Sequence, residues 1–275
     1  AFTIYSSSIA SGQLVSHSIF AKAKEHKWFQ LSTGGNTNDQ WANFDLENGV
    51  IGNSSSSANP IIENYGNGWY RCILFATTSA TNASLAGLIT LTNNLDATSR
   101  SPSYSGSNGG VYVFGLQIEQ GSFPTSYIKS NSGSTVTRSA ETANGSGNAA
   151  TFNDSEGVLM AEISALADDG TFRVFGLSNG SSSDRILLYY SSTSNNIISI
   201  ITDGGVVQSQ LSVIVNDVKT FEKVAIKYKL NDVALWVNGF ELKTDASATM
   251  PTGLNELDFD KGDGGDKFYG NTKQV

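Results

Sequence analysis

The segment Val111–Gln120, VYVFGLQIEQ, alternates side-chain character with a period of two and is stopped by a Gly and a Pro. This period predicts a β-strand with one face turned to a core and one to a ligand or solvent. The alternation predicts one face formed by Tyr112, Phe114, Leu116 and Ile118, and the other by Val111, Val113, Gln117 and Glu119. Helical periodicity is nearly absent elsewhere. The best helix candidate, residues 19–28, is also readable as a strand over residues 17–23 followed by a turn.

Short alternating segments punctuated by Gly, Asn and Ser recur along the whole chain, which is typical of an all-β fold. We therefore predict two tandem β-sandwich domains of jelly-roll type. The predicted strands are residues 27–32, 41–45, 69–77, 86–91, 111–120, 157–164, 172–177, 185–190, 197–202, 206–213, 222–229 and 233–237. The last of these runs into Asn238-Gly239, a pair that predicts a tight hairpin turn.

Residues 129–148 interrupt this pattern with a polar stretch rich in Ser, Thr and Gly. We interpret them as a linker or a long crossing strand between domain 1–140 and domain 148–275. The 275 residues suffice for two domains of ordinary size. Because both ends fall inside strand patterns, we expect a fragment of a longer polypeptide with a truncated second domain.

Composition restricts the function classes. The net charge of −8 disfavours a nucleic-acid partner, since no basic surface would release the counterions of the phosphates. No run approaches ~18 apolar residues, so no membrane insertion is predicted. Only 15% of the residues are charged, and Ser, Thr, Asn and Gly supply the remaining polarity. This surface is compatible with neutral sugars.

The sequence offers little for catalysis. The single cysteine, Cys72, lies in a strand pattern that predicts a buried, inert thiol, and two histidines without metal-ligand spacing disfavour a triad hydrolase or a metal site. A glycosidase needs two opposed carboxyl groups, for which Glu47, Glu63 and Glu119 are available. The strand signature of jelly-roll glucanases is missing, however, so we predict a non-enzymatic protein.

Two residues on one face of the Trp69–Thr77 strand, Trp69 and Arg71, are candidate ligand contacts. An aromatic ring stacks on a pyranose, and a guanidinium fork binds hydroxyl or carboxylate groups. Gln117 and Glu119 would complete this site, and Tyr104 in a Ser/Gly-rich loop is a further candidate sugar contact. The alternative is structural, with Trp69 in the core and Arg71 paired with Glu119 across neighbouring strands.

An acidic Gly-rich segment near the end of the chain is a candidate calcium site. Its four carboxylates are Asp258, Asp260, Asp263 and Asp266. Calcium binds six to eight oxygens, which closely spaced carboxylates and carbonyl groups supply. Their spacing is not that of an EF-hand, and a solvated loop is the alternative.

Two stretches resemble a module common in phage tail and virion proteins. These are residues 59–78, NPIIENYGNGWYRCILFATT, and residues 111–141, which begin VYVFGLQIEQGSFPTSYIK. Residues 222–242, EKVAIKYKLNDVALWVNGFEL, and residues 250–275 resemble the concanavalin/laminin-G-like domain that often follows this module. Lys129 stands where the family usually has Pro.

The resemblance implies a carbohydrate-binding-module-like jelly roll followed by a concanavalin-like sandwich. It also implies a tail fibre, spike or other virion appendage that binds host or environmental glycans outside the cell, with a homotrimer as a common assembly. Two alternatives remain open, a jelly-roll polysaccharide hydrolase or lyase and a purely structural assembly domain.

Overall fold

The computed structural model describes residues 2–6, 9–81, 84–106, 109–130, 136 and 146–275. These residues form nineteen strands and no helix, so no described segment could cross a membrane as a helix. The strands are β1 Phe2–Ser6, β2 Leu14–Ala23, β3 Trp28–Gly35, β4 Trp41–Asp45, β5 Val50–Ser54, β6 Ile61–Asn64, β7 Trp69–Thr77, β8 Ser84–Leu91, β9 Val111–Gln120, β10 Glu156–Ala165, β11 Arg173–Ser178, β12 Arg185–Tyr190, β13 Asn196–Asp203, β14 Val206–Ile214, β15 Glu222–Lys229, β16 Val233–Val237, β17 Phe240–Asp245, β18 Glu256–Asp258 and β19 Gly270–Gln274. The prediction of an all-β fold built from β-sandwiches is confirmed.

The chain divides into two compact units, Ala1–Arg138 and Ser139–Val275, here called unit 1 and unit 2. Most of the predicted linker, residues 131–135 and 137–145, lies outside the described residues, as does the predicted domain limit at residue 140.

Unit 1 is a sandwich of two antiparallel sheets. Its five-stranded sheet has the order β1-β8-β3-β4-β5, and its four-stranded sheet has the order β6-β7-β2-β9. Inward side chains of both sheets meet in two clusters, and the larger one contains Phe29 and Phe44 together with Ile19 and Leu74. Cys72 lies in this core, and burial raises the pKa of its thiol, as expected for an inert cysteine.

Unit 2 is a second sandwich, with two five-stranded sheets in the orders β17-β16-β15-β10-β19 and β14-β13-β12-β11-β18. Its core contains Phe175 and Leu188 from one sheet and Ile163 and Ile226 from the other. The predicted hairpin turn is present, since Asn238 and Gly239 both have positive φ between β16 and β17.

The helix candidate at residues 19–28 is wrong, and the alternative strand is correct. β2 extends to Ala23 and pairs with β7 on one side and β9 on the other. The alternation of Ile19 and Ala21 toward the core with Phe20 toward the outside fits a strand, and this long-range pairing outweighs the local helix propensity of the Ala-Lys segment.

The outer face of the five-stranded sheet of unit 1 is polar and covered. Residues 92–101, here called the cover loop, run over Gln30 and Asn43, which are both 0% exposed. Asn43 donates from Nδ2 to the carbonyl oxygens of Leu95 and Ala97, each at 2.9 Å. Gln30 donates to the carbonyl of Ser99 at 3.0 Å. The side-chain amides thus bind the loop backbone in place of water.

Candidate functional site: an aromatic face on the four-stranded sheet

The outer face of the four-stranded sheet carries a group of aromatic rings, here called the aromatic platform. Its members are Phe20, Tyr65, Trp69, Phe114 and Tyr127. Phe20 is buried at the centre, whereas Tyr65, Phe114 and Tyr127 are 55%, 47% and 42% exposed. Trp69 is half-buried. Such exposed clustered rings are uncommon on a folded surface and mark candidate binding sites.

The strand register brings these rings together. Phe20 on β2 pairs directly with Arg71 on β7 and with Phe114 on β9, and Lys22 pairs with Trp69 and Tyr112. The Phe20 ring is stacked on Phe114 with centroids 4.7 Å apart, and Tyr65 meets Phe20 edge-on at 5.0 Å. These contacts fix the rings relative to one another before any ligand arrives.

A bulge at Gly115 changes the faces that alternation predicts for β9. The pairing with β2 shifts between Ser18 and Phe20, and Gly115 has a φ of 65°, which favours glycine. Phe114 therefore lies on the outer face together with Gln117 and Glu119, and the prediction that they occupy opposite faces is wrong. Leu116 and Ile118 pack against the cores, as predicted for residues of one face.

Arg71 lies beneath the platform and is 4% exposed. Its Nη2 donates to Ser18 Oγ at 3.0 Å and to the carbonyl oxygen of Thr125 at 2.6 Å, and its Cζ lies 5.4 Å from the centre of the Phe20 ring. The alternative in which Arg71 pairs with Glu119 is wrong, because the described residues contain no such ion pair and the guanidinium is held by a hydroxyl and a backbone carbonyl.

Gln117 and Glu119 hold residues 122–128, here called the strap, against the sheet. Glu119 accepts hydrogen bonds from the Thr125 backbone N at 2.9 Å and from Thr125 Oγ1 at 2.5 Å. Gln117 donates to Glu119 at 2.6 Å and accepts from the Ile128 backbone N at 2.7 Å. Because the strap carries Tyr127, these residues position one ring of the platform. Their assignment as direct ligand contacts stays a prediction.

Tyr104 lies elsewhere in unit 1. Its hydroxyl is 2.5 Å from His26 Nε2, and the two rings meet edge-to-face with centroids 5.3 Å apart. Tyr104 is half-buried and belongs to the connection between β8 and β9. The structure therefore brings Trp69, Arg71, Gln117 and Glu119 together around the strap and platform, and leaves Tyr104 at a different location.

Three of the four aspartates of the candidate calcium site, Asp258, Asp260 and Asp263, line one open pocket together with Glu256, whereas Asp266 does not line it. Among the described residues, no three side chains of metal-ligand type form a group. Asp258 accepts a hydrogen bond from Ser178, Asp260 accepts from the backbone N of Gly262, and Asp266 forms an ion pair with Lys261. Asp258 and Asp260 lie near Glu256, whose pKa is raised by burial and by their charges. The calcium site therefore stays a prediction.

The sequence pattern indicates Trp69 as a ligand contact, but it gives no such role to Phe20, Phe114 or Tyr127. Phe20 fell in the helix candidate, and Phe114 was assigned to the face opposite Gln117. The signal that would have found Phe114 is the glycine that follows it, because a glycine inside an alternating strand indicates a bulge that reverses the faces.

The chain matches no protein-family model and no curated protein. Several solved structures resemble it, and three of them are described below. The carbohydrate-binding module CBM66 from Bacillus subtilis is 9% identical with a TM-score of 0.31, and the match covers 38% of this chain and 66%, slightly under two thirds, of that module. Sheep galectin-11 in complex with glycerol is 10% identical with a TM-score of 0.33, covering 44% of this chain and 90% of galectin.

Domains LG4-5 of the mouse laminin α1 chain are 9% identical with a TM-score of 0.31, covering 95% of this chain and 80% of the laminin fragment. Likeness at this level carries no argument about function. The fold assignment rests on the strand order of the protein itself, and the phage setting stays a prediction.

Proposed function

We propose that the protein is a non-catalytic adhesion module whose aromatic platform binds glycans. The observation that carries this proposal is the set of exposed rings, Tyr65, Phe114 and Tyr127, gathered around Phe20 on one sheet face. Aromatic faces stack on the apolar C–H faces of sugar rings, and partly exposed rings are free to do so. A net charge of −8 is compatible with a neutral glycan.

The shape of the platform favours an extended glycan bound on its surface. Paired strands lie about 4.8 Å apart, and the platform spans β7, β2 and β9, so its rings extend over roughly 10 Å. Such an open face binds several sugar units weakly, and many copies multiply that affinity. The sequence resemblance to phage tail modules supports a virion appendage outside the cell, with a homotrimer as its assembly.

The hydrogen bonds of Glu119 favour binding over catalysis. A glycosidase needs carboxyl groups available to the scissile bond. The Glu119 carboxylate instead accepts hydrogen bonds from Thr125 and Gln117 and holds the strap. The alternative is a jelly-roll hydrolase or lyase. An assay for reducing ends released from bacterial and algal polysaccharides tests it.

A glycan array tests the proposal directly. The full chain is applied to immobilised neutral and acidic glycans beside the Trp69→Ala variant. We expect binding to a group of related glycans and a signal at least fivefold lower for Trp69→Ala, with an unchanged unfolding midpoint. A blank array, or equal signals from both proteins, would contradict the proposal and favour a purely structural domain.

A further inference from the structure

We propose a second ligand site in unit 1, a small pocket that accepts a single neutral sugar residue. The pocket lies where the β2–β3 connection meets the turn after β4 and the segment after β8. Its volume is about 320 Å³, near the lower end of the roughly 300–1,000 Å³ typical of ligand pockets. None of its lining residues belongs to the aromatic platform, so the site is separate from the one described above.

The charges in the pocket are paired. Lys24 Nζ lies 3.0 Å from Glu25 Oε1, and Lys27 Nζ lies 2.7 Å from Glu47 Oε2. These four residues are all the Lys and Glu side chains that line the pocket. An acidic sugar would need a cation without a carboxylate partner, and a basic sugar would need a carboxylate without a cationic partner. The walls offer donors and acceptors side by side, which suits a hydroxyl group that both donates and accepts.

Trp28 is the one aromatic residue other than His26 among the described residues that line the pocket. Its Nε1 donates to Asp45 Oδ2 at 2.9 Å, and Lys27 Nζ lies 5.0 Å from the centre of its ring. Burial acts to raise the pKa of Asp45, but the hydrogen bonds from Asn48, Trp28 and Glu47 outweigh it and lower the pKa. An anionic Asp45 thus fixes the indole, which gives a sugar ring a rigid apolar surface.

Contacts from the β8–β9 connection fix two further residues of the pocket. The Tyr104 hydroxyl lies 2.5 Å from His26 Nε2, and Asn93 donates from Nδ2 to the carbonyl of Ser105 at 2.7 Å. His26 and Asn93 both line the pocket. Tyr104 is therefore a positioning residue, because it holds His26 without lining the pocket itself. This role differs from the direct sugar contact predicted from the sequence.

The test is a titration of the isotope-labelled full chain followed by amide chemical shifts. The neutral probes are glucose, galactose and N-acetylglucosamine, and the charged probes are glucuronate and glucosamine. We expect at least one neutral sugar to give saturable shifts in residues 23–28 and 92–93, with Trp69–Thr77 unaffected. The charged probes should bind at least tenfold more weakly.

Two variants and one control variant sharpen this test. Asn93→Ala should raise the Kd of the neutral sugar about tenfold, and Tyr104→Phe should raise it about threefold while the unfolding midpoint stays unchanged. Phe240→Ala, which removes an exposed ring in unit 2, should leave the Kd unchanged. Absence of saturable shifts at residues 23–28 with every neutral probe, or equal binding of the charged probes, would overturn this inference. Neither result would affect glycan binding at the platform.

Discussion

The two sheets of unit 1 have outer faces of opposite character. On the five-stranded sheet, Gln30 and Asn43 are fully buried because the cover loop lies over them. On the four-stranded sheet, Phe114 and Tyr65 are about half exposed. The polar face thus has its partner inside the molecule, whereas the described residues leave the rings of the platform exposed. The uncovered face of the four-stranded sheet is therefore the one available to a ligand, although the covered face carries more hydrogen-bonding groups.

On both faces, side chains of the sheet nevertheless hold a neighbouring segment of the chain by hydrogen bonds. Asn43 holds the cover loop through two backbone carbonyls, and Glu119 holds the strap through Thr125. The cover loop closes its face. The strap adds Tyr127 to its face and leaves the rings exposed. The two segments differ in whether they cover their face. Removing the hydrogen bonds of Asn43 and removing those of Glu119 should therefore have different effects.

The largest predicted effect comes from the core between the two faces. His17 is fully buried, and burial lowers its pKa to about 4, although a backbone interaction at Ala86 opposes the shift. Between the unfolded pKa of about 6.5 and the folded value, only the unfolded chain binds the proton. Unit 1 should therefore lose about 3 kcal/mol of stability as the pH falls from 6.5 to 4.

Urea unfolding measured at several pH values by tryptophan fluorescence checks this prediction, since Trp28, Trp41 and Trp69 all lie in unit 1. The His17→Leu variant should lose most of the pH dependence in this window. An equal pH dependence in the variant would assign the effect to other groups. Because both sheets share this core, a lower pH should reduce the stability of both sheets together.

Loss of the hydrogen bonds that hold the cover loop should have the next largest effect on stability. Asn43→Ala removes the donors to Leu95 and Ala97 and the acceptor for Gln30, and should destabilise unit 1 by about 2 kcal/mol in urea unfolding. The matched control is Asn53→Ala, which removes an exposed hydrogen bond to the same loop at Asp96 and should cost about 0.5 kcal/mol or less. Similar costs for both variants would contradict the assigned role of the buried face.

Loss of the hydrogen bonds that hold the strap should have a smaller effect on stability and a separate effect on glycan binding. Glu119→Ala should destabilise unit 1 by about 1 kcal/mol, because Thr125 loses two hydrogen bonds near the surface. It should also weaken glycan binding about threefold by freeing Tyr127. Gln120→Ala, the next residue of β9, is the control and should change neither quantity measurably. Stability and affinity come from unfolding curves and titration calorimetry.

Sequence patterns predict the strands well where alternation is strong and turns are close. The bounds of β4, β7, β9, β12, β15 and β16 agree to the residue. Short exposed strands such as β5 and β6 are not predicted, because four or five residues are too few to show a period. Their formation depends on neighbouring strands that are distant in sequence.

The candidate site was predictable only in part, for a related reason. The outward position of Trp69 and Arg71 follows from alternation within β7. The meeting of Phe20, Phe114 and Tyr127 depends on the pairing of β2 with β9 and on one extra residue at Gly115. The glycine indicates a bulge, but no local pattern identifies the partner of a strand, so the platform emerges only in three dimensions.

The most direct test of the central claim is the Kd of the glycan selected on the array, measured by titration calorimetry for Phe114→Ala and Phe240→Ala. Both variants delete an exposed phenylalanine ring, but only Phe114 belongs to the platform. We expect Phe114→Ala to raise the Kd about tenfold, equivalent to about 1.4 kcal/mol, and Phe240→Ala to leave it unchanged. Equal affinities of the two variants, with both proteins folded, would contradict glycan binding by the aromatic platform.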